Sequence, residues 1–257
     1  LCDMIDRYGI TTLHFVPSML ELFLEIADAD RIRSIRHIVT SGEALSGVVQ
    51  QQALQRVPSS LLWNLYGPTE AAIDVSWWQC QILDGNQPPP IGHPIWNTQL
   101  YILDEGLEPV ARGVIGELYI AGHGLARGYH QQPGLTAERF IACPFASGQR
   151  MYRTGDLARR RGDGAICFLG RVDDQVKIRG FRIEPGEIEA NSLACFPEQI
   201  AQVAVVPRDV GGQTRLIAYL VPRQGRNAPE PHDFRLALSQ ILPDYMVPTT
   251  SVILDQL

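Results

Sequence analysis

The feature that most limits what this chain can become is a double change of rhythm along its 257 residues. Up to about Trp78, short apolar runs alternate with helix-like segments, the order of a parallel α/β unit. Residues 10–16 read as a buried strand, and a second strand ends at Thr40. Residues 46–56 read as a helix stopped before Pro58, and residues 61–66 as a third strand running into Gly67-Pro68. Ser18-Met19-Leu20-Glu21 has the spacing of a capping box, which predicts a helix opened by Ser18. From Pro88-Pro89-Pro90 to Gly170 the pattern becomes strands between turn residues, clearest over 98–103, 116–121 and 165–169, with a hairpin signal at Asp163-Gly164. After Asp173 a small α+β unit is expected, with strands near 203–206 and 216–221 and a helix near 233–241.

Composition narrows the function classes. A 45% hydrophobic, 19% charged chain can bury a sizeable core. A formal net charge of -6 without a run of Lys or Arg gives no footprint for nucleic acid or an anionic membrane. No apolar stretch is long enough to span a bilayer, and Leu1-Cys2-Asp3-Met4 has neither the features of a signal peptide nor a natural start. The five cysteines are odd in number, spread out and without a C-x-x-C pair, which argues against a disulfide framework or zinc site and for a reducing cytoplasm.

Three strings can carry chemistry. Asn64-Leu65-Tyr66-Gly67-Pro68-Thr69-Glu70 sets an aromatic, a hydroxyl and a carboxylate at the end of a buried strand, where open α/β sheets bind ligands. The tyrosine can stack on a purine, the threonine can donate to a phosphate, and the glutamate is a hard oxygen ligand for Mg²⁺. Tyr152-Arg153-Thr154-Gly155-Asp156-Leu157 reads as a second loop, whose aspartate can accept from both hydroxyls of a ribose. Gly170-Arg171-Val172-Asp173-Asp174-Gln175-Val176-Lys177-Ile178-Arg179-Gly180 packs cations and carboxylates into a junction. Taken singly, these read equally well as ordinary turns and a solvated linker. Gly122-His123-Gly124 follows a strand with no helix after it, so turns rather than a dinucleotide fingerprint are expected there.

In order and wording, these strings, together with Ser41-Gly42-Glu43-Ala44-Leu45, Gly116-Glu117-Leu118-Tyr119-Ile120-Ala121-Gly122 and Leu242-Pro243-Asp244-Tyr245-Met246-Val247-Pro248, resemble the amino-acid-adenylation domains of nonribosomal peptide synthetases. The resemblance covers essentially the whole chain. It implies a partial adenylate-forming fold: half of a parallel α/β core to about residue 87, an antiparallel β subdomain over about 88–172, and an incomplete small mobile lid over 173–257. It implies ATP and Mg²⁺, and transfer of the activated amino acid to a phosphopantetheine thiol on a carrier domain. By position, Tyr66 would stack on adenine, Glu70 would bind Mg²⁺, Thr69 would contact phosphate and Asp156 would hold the ribose. Arg171 and Lys177 would support ribose and phosphate contacts, with Asp173 as hinge. Gly42, Glu43, Asn64, Gly67 and Phe168 complete the implied nucleotide-binding set.

The same resemblance places His14, Val39, Ser41, Leu65, Ile73 and Asp74 in the substrate pocket. This set suits a hydroxymethyl side chain, and the wording around His14 and Asp74 resembles serine-activating domains. Leu135-Thr136-Ala137-Glu138-Arg139-Phe140-Ile141, on to Tyr152, resembles domains that bind a small MbtH-like helper; a plain helix started by Thr136 and packed through Phe140 and Ile141 is the alternative. Carrier and condensation domains of the same synthetase are further implied partners. The family's phosphate loop, its amine-binding aspartate and its catalytic lysine are not among these residues, so the chain alone is expected to be inactive. Pro185, often leucine in the family, suits a first helical turn, and His93, usually arginine, is expected to be a surface turn residue. Two other readings are an acyl-CoA ligase-type relative and a non-catalytic docking fragment. The wording around Asn64 and Gln175 is closer to the peptide synthetases, and Tyr66, Glu70 and Asp156 together favour an enzyme.

Overall fold

A computed structural model describes residues 1–82, 87–210 and 213–257. The chain divides into two compact units, Leu1–Asp173 and Asp174–Leu257. The first unit begins α1 (Cys2–Tyr8), β1 (Thr12–Phe15), α2 (Pro17–Ile26), β2 (His37–Thr40), α3 (Gly47–Arg56) and β3 (Leu61–Tyr66). It continues through β4 (Ser76–Gln79), β5 (His93–Pro94), β6 (Thr98–Leu103), β7 (Ile115–Gly122), α4 (Pro133–Arg139), β8 (Phe140–Ala142), β9 (Arg150–Arg160) and β10 (Ile166–Arg171).

β1, β2 and β3 pair in parallel, as the alternating pattern predicts. Leu13, Ile38 and Leu62 lie in register across the three strands and pack with Leu20, Phe23 and Leu24 of α2 and Val49 and Ala53 of α3 in one core. Ser46 caps α3, its hydroxyl accepting from the Val49 N–H at 3.2 Å. The capping-box expectation at Ser18 is overturned. Pro17, which has no N–H to lose and a preset φ, takes the first helical position and moves the cap to Val16. The Ser18 N–H is instead met by the Glu43 carboxylate at 3.1 Å, a favourable place for a negative charge at a helix start.

Two short antiparallel strands that the sequence pattern does not announce, β4 and β5, extend the parallel sheet. His93 is therefore a strand residue rather than a surface turn histidine, and its ring lies 6.3 Å from Trp77 and 5.9 Å from Trp78. The second sheet runs β10-β9-β7-β6, all antiparallel, with β8 on β9. Gly164 turns β9 into β10 at φ +89°. The segment at 152–157, read from sequence as a loop, lies within β9. The helix expected from Thr136 begins at Pro133, and Phe140 and Ile141 leave it for β8. The two sheets meet at Gly92, whose carbonyl accepts from the Ile166 N–H at 2.9 Å.

The second unit holds β11 (Val176–Ile178), β12 (Phe181–Ile183), α5 (Pro185–Cys195), β13 (Ile200–Val210), β14 (Gln213–Pro222), α6 (Pro231–Ser239) and β15 (Thr250–Ile253). β13 and β14 are antiparallel, and β15 joins β14 in parallel. Ile188 of α5 and Phe234 and Leu238 of α6 pack with Val205, Ala218 and Leu220 in this unit's core. Pro185 opens α5, as expected for a proline at a first turn. Among the described residues no helix is long and apolar enough to cross a membrane.

The seam between the sheets generates a prediction. Gly92 has φ +82°, and a Cβ there would stand 2.0 Å from the Trp77 carbonyl oxygen, whereas Gly113, at φ +83°, has open space around it. Gly92→Ala should cost about 3 kcal/mol and Gly113→Ala about 1 kcal/mol. Denaturant titration of both variants measures this, and equal losses would remove steric closure as the reason for glycine at the seam.

Candidate functional site

β3 delivers Tyr66 to the end of the parallel sheet, and the chain then turns through Gly67-Pro68 into a single 3-10 turn, Thr69–Ala71. Glu70 on that turn is 8% exposed. Its Oε1 accepts from the Tyr129 hydroxyl at 2.7 Å and the Tyr152 hydroxyl at 2.8 Å. Burial, with these hydrogen bonds, pushes the Tyr129 phenol well above its ordinary range, so it remains a donor and Glu70 an acceptor. The Glu70 carbonyl also takes the Ala126 N–H at 2.8 Å, tying the turn to the segment after β7.

Asp156 is 5% exposed, on β9 directly opposite Arg171 on β10. Arg171 Nη1 donates to Asp156 Oδ1 at 2.5 Å, while its Nε and Nη2 donate to the two Asp173 oxygens at 2.6 and 2.8 Å. The Tyr66 hydroxyl donates to Asp156 Oδ2. Tyr66 is buried beside this negative charge, and both effects raise its phenol well above the usual range. Phe168 of β10 flanks the Tyr66 ring at a centroid distance of 6.5 Å. Asn64, 4% exposed, donates from Nδ2 to the Pro90 carbonyl at 2.9 Å.

The six pocket candidates divide. His14 pairs in register with Val39, Val39 with Trp63, and Leu65 with Trp77, so these positions share the sheet and its end. His14 Nε2 and Ser41 Oγ lie 2.8 Å apart. Gly42, at φ +86°, turns the chain after Ser41 toward Glu43. Ala72 and Ile73 both have left-handed φ, 58° and 77°, and the Asp74 N–H donates to the Ala72 carbonyl at 3.1 Å. This is a tight γ-turn at a β-branched residue, a costly conformation. Ile73 is 66% exposed. Asp74 is turned inward, and its Oδ1 is buried with no hydrogen-bond partner. Desolvation raises its pKa, opposed by the nearby His14. Gly67 is where this loop closes: a Cβ there would stand 2.2 Å from the Ile73 carbonyl oxygen. Lys177 lies on β11 of the second unit.

Tyr129 and Tyr152, the donors to Glu70, are absent from the candidate set above. Tyr152 stands in a string whose sequence reads as a loop, so nothing local marked it as a donor to Glu70. Tyr129 comes from a distant loop and left no signal. Glu70 and Asp156 can serve as charged acceptors. Asp156 has one donor on each oxygen, and a carboxylate offers about four acceptor sites, so two further hydroxyls can be accommodated. Among the described residues no cluster of three His, Cys, Asp or Glu side chains could hold a metal. A single carboxylate such as Glu70 fits the way Mg²⁺ is usually held, by one or two carboxylates plus substrate phosphates.

Residues 1–130 match the family described as AMP-binding enzyme. A dimodular nonribosomal peptide synthase of Bacillus subtilis is 48% identical over 262 residues, covering 100% of this chain and 10% of that protein. Among solved structures, the Vibrio cholerae adenylation domain AlmE, in complex with glycyl-adenosine-5'-phosphate, superimposes with a TM-score of 0.87 at 28% identity, covering 100% of this chain and 49% of that one. PA1221, a nonribosomal peptide synthetase protein containing adenylation and PCP domains, gives 0.83 at 28% identity, covering 100% and 50%. The chain thus spans about half the length of these solved relatives.

The orphaned Asp74 oxygen has a measurable consequence. Its pKa is raised on folding, so the folded state binds more protons than the unfolded one between the unfolded value, about 3.9, and the folded one. Stability contributed by this group therefore falls as pH rises through that window. Asp74→Asn should raise the melting temperature at neutral pH by about 2 °C, with the gain shrinking as pH is lowered toward 4. Thermal melts across pH check this; a pH-independent difference would contradict it.

Proposed function

The chain belongs to the AMP-binding enzyme family, of the adenylation type found in nonribosomal peptide synthetases, and we propose that it supplies one wall of the site where an amino acid reacts with ATP. A substrate carboxylate oxygen attacks the α-phosphorus, the bond to pyrophosphate breaks, and an aminoacyl adenylate forms. The thiol of a carrier-domain phosphopantetheine then attacks the acyl carbon, the acyl–phosphate bond breaks and AMP leaves as the thioester forms, with carrier and condensation domains of the same synthetase as partners. The observation that carries the reading is a pair of buried carboxylates: Asp156, which accepts from Tyr66 at the end of β3, and Glu70 on the turn that follows that strand, each with its own donors.

In this reading Asp156 accepts from the ribose hydroxyls while keeping Tyr66 and Arg171, and the Tyr66 and Phe168 rings face the adenine. Thr69, at the start of the 3-10 turn, donates to a phosphate oxygen. Glu70 would hold Mg²⁺, and the ion would supply positive charge to the phosphates. Asp173, the last residue of the first unit, is the proposed pivot between half-reactions. The five free cysteines support a reducing, cytoplasmic setting.

The proposed amino acid is serine. Support comes from the buried Asp74 oxygen without a donor, which a substrate hydroxyl would supply, beside the His14–Ser41 pair. Such a site rejects alanine because the carboxylate stays unsatisfied, whereas threonine adds only a methyl and is discriminated by roughly 10–200-fold. Amino-acid-dependent pyrophosphate exchange by the complete protein should rank serine first, threonine second and alanine far below, and Asp74→Ala should lower the serine-to-alanine ratio at least tenfold. Faster exchange with alanine or a large apolar amino acid would rule serine out.

A small MbtH-like helper is a further proposed partner. Phe140 is buried and serves the core, but Phe145, 40% exposed and 4.7 Å from the Tyr101 ring, leaves apolar surface on the same segment. Co-expression of the complete protein with such a helper should raise soluble yield and exchange activity; no change in either speaks against it.

A further inference from the structure

Asp156 does not sit on a regular strand. Glu117 pairs with Leu157 and Tyr119 with Arg153, so Thr154, Gly155 and Asp156 face Leu118 alone across the β7–β9 ladder. A bulge of this kind leaves backbone groups without ladder partners and re-aims a side chain. In a buried place those groups must be met by other means. The Gly155 N–H donates to Glu117 Oε1 at 3.2 Å, and the Asp156 N–H to the Thr154 hydroxyl at 2.9 Å. That hydroxyl in turn donates to the Leu118 carbonyl at 2.6 Å. Glu117 is anchored by Arg153 Nε at 3.0 Å and by the Tyr119 hydroxyl at 3.1 Å. Gly155 completes the device. It has φ +76°, and its missing Cβ leaves room for Arg171, whose Nη2 would lie 2.8 Å from such an atom. Its carbonyl accepts the Val172 N–H at 2.9 Å.

We propose that Glu117 and Thr154 are positioning residues for nucleotide recognition: they hold the bulge that sets the Asp156 carboxylate against Arg171 and in reach of a ribose. The inference rests on the proposed function, since it takes Asp156 as the ribose acceptor. Neither residue needs to touch the nucleotide. Without the Glu117 acceptor the Gly155 N–H is orphaned, and the bulge can satisfy it only by moving the residue that precedes Asp156.

The test measures pyrophosphate-exchange KM and kcat for ATP and for 2'-deoxy-ATP with the complete protein. In Glu117→Ala and Thr154→Val, the KM for ATP should rise about tenfold with the amino-acid KM unchanged, and the preference for ATP over 2'-deoxy-ATP should fall by about the same factor. Glu117→Gln keeps an acceptor for Gly155 and Thr154→Ser keeps the hydroxyl, so each should retain most of that preference. Arg153→Ala, which removes the other anchor of Glu117 and leaves the Gly155 contact, controls for stability. Wild-type protein that prefers ATP strongly, with Glu117→Ala and Thr154→Val retaining that preference, overturns this inference and leaves the proposed function standing. Wild-type protein that does not distinguish the two nucleotides overturns both. Should Glu117→Ala not fold, Thr154→Val against Thr154→Ser decides alone.

Discussion

The first unit is organised around the compensation of one buried charge. Asp156 is 5% exposed, and an unpaired carboxylate at that depth would cost several kcal/mol. Two parts of the chain donate to it: Tyr66 from the end of the parallel sheet and Arg171 from the neighbouring antiparallel strand, while the Thr154 hydroxyl satisfies the Asp156 backbone N–H. Because Tyr66 and Arg171 come from different sheets, satisfying this carboxylate also locks the two sheets in one arrangement. Removing either partner would leave a charge stranded, whereas removing a surface pair such as Arg33–Asp30 would change little.

Glu70 is held in a similar way, with two phenols donating to one of its carboxylate oxygens. The turn after it spends backbone strain at Ala72 and Ile73 to bring Asp74 inward, and Gly67 is the only residue type that leaves room for the Ile73 carbonyl. A carboxylate oxygen left without a donor is the cost of that arrangement, and strain concentrated at one loop is how binding sites usually differ from the scaffold around them.

How much was readable in the sequence depended on how local the cause was. Residues 61–66 and 98–103 become strands because their apolar residues are arranged to match the pleat, and α3 starts where Ser46 can cap it. The local signal at Ser18 misled, because Pro17 outranks a hydroxyl as a helix opener and Glu43, 25 residues away, supplies the missing acceptor. The 152–157 segment read as a loop for a related reason. Its glycine marks a bulge inside a long strand, and a bulge is defined by the partner strand, which the string itself does not contain. Tyr66, Glu70, Asp156 and Arg171 stood out as chemistry-bearing residues. The groups that hold them in place, Glu117, Tyr129 and Tyr152, act across 38 to 82 residues of chain and leave no local trace.

The proposal to be tested is that the carboxylate pinned between Tyr66 and Arg171 is a ribose acceptor and that Asp74 is the acceptor for the amino-acid side chain. A crystal structure of the complete protein with a non-hydrolysable seryl-adenylate analogue tests this most directly. The account predicts both ribose hydroxyls within hydrogen-bond distance of the Asp156 oxygens and the serine hydroxyl on Asp74 Oδ1. A ribose bound away from Asp156, with the Tyr66–Asp156–Arg171 contacts unchanged and no donor to that carboxylate from the nucleotide, would contradict it.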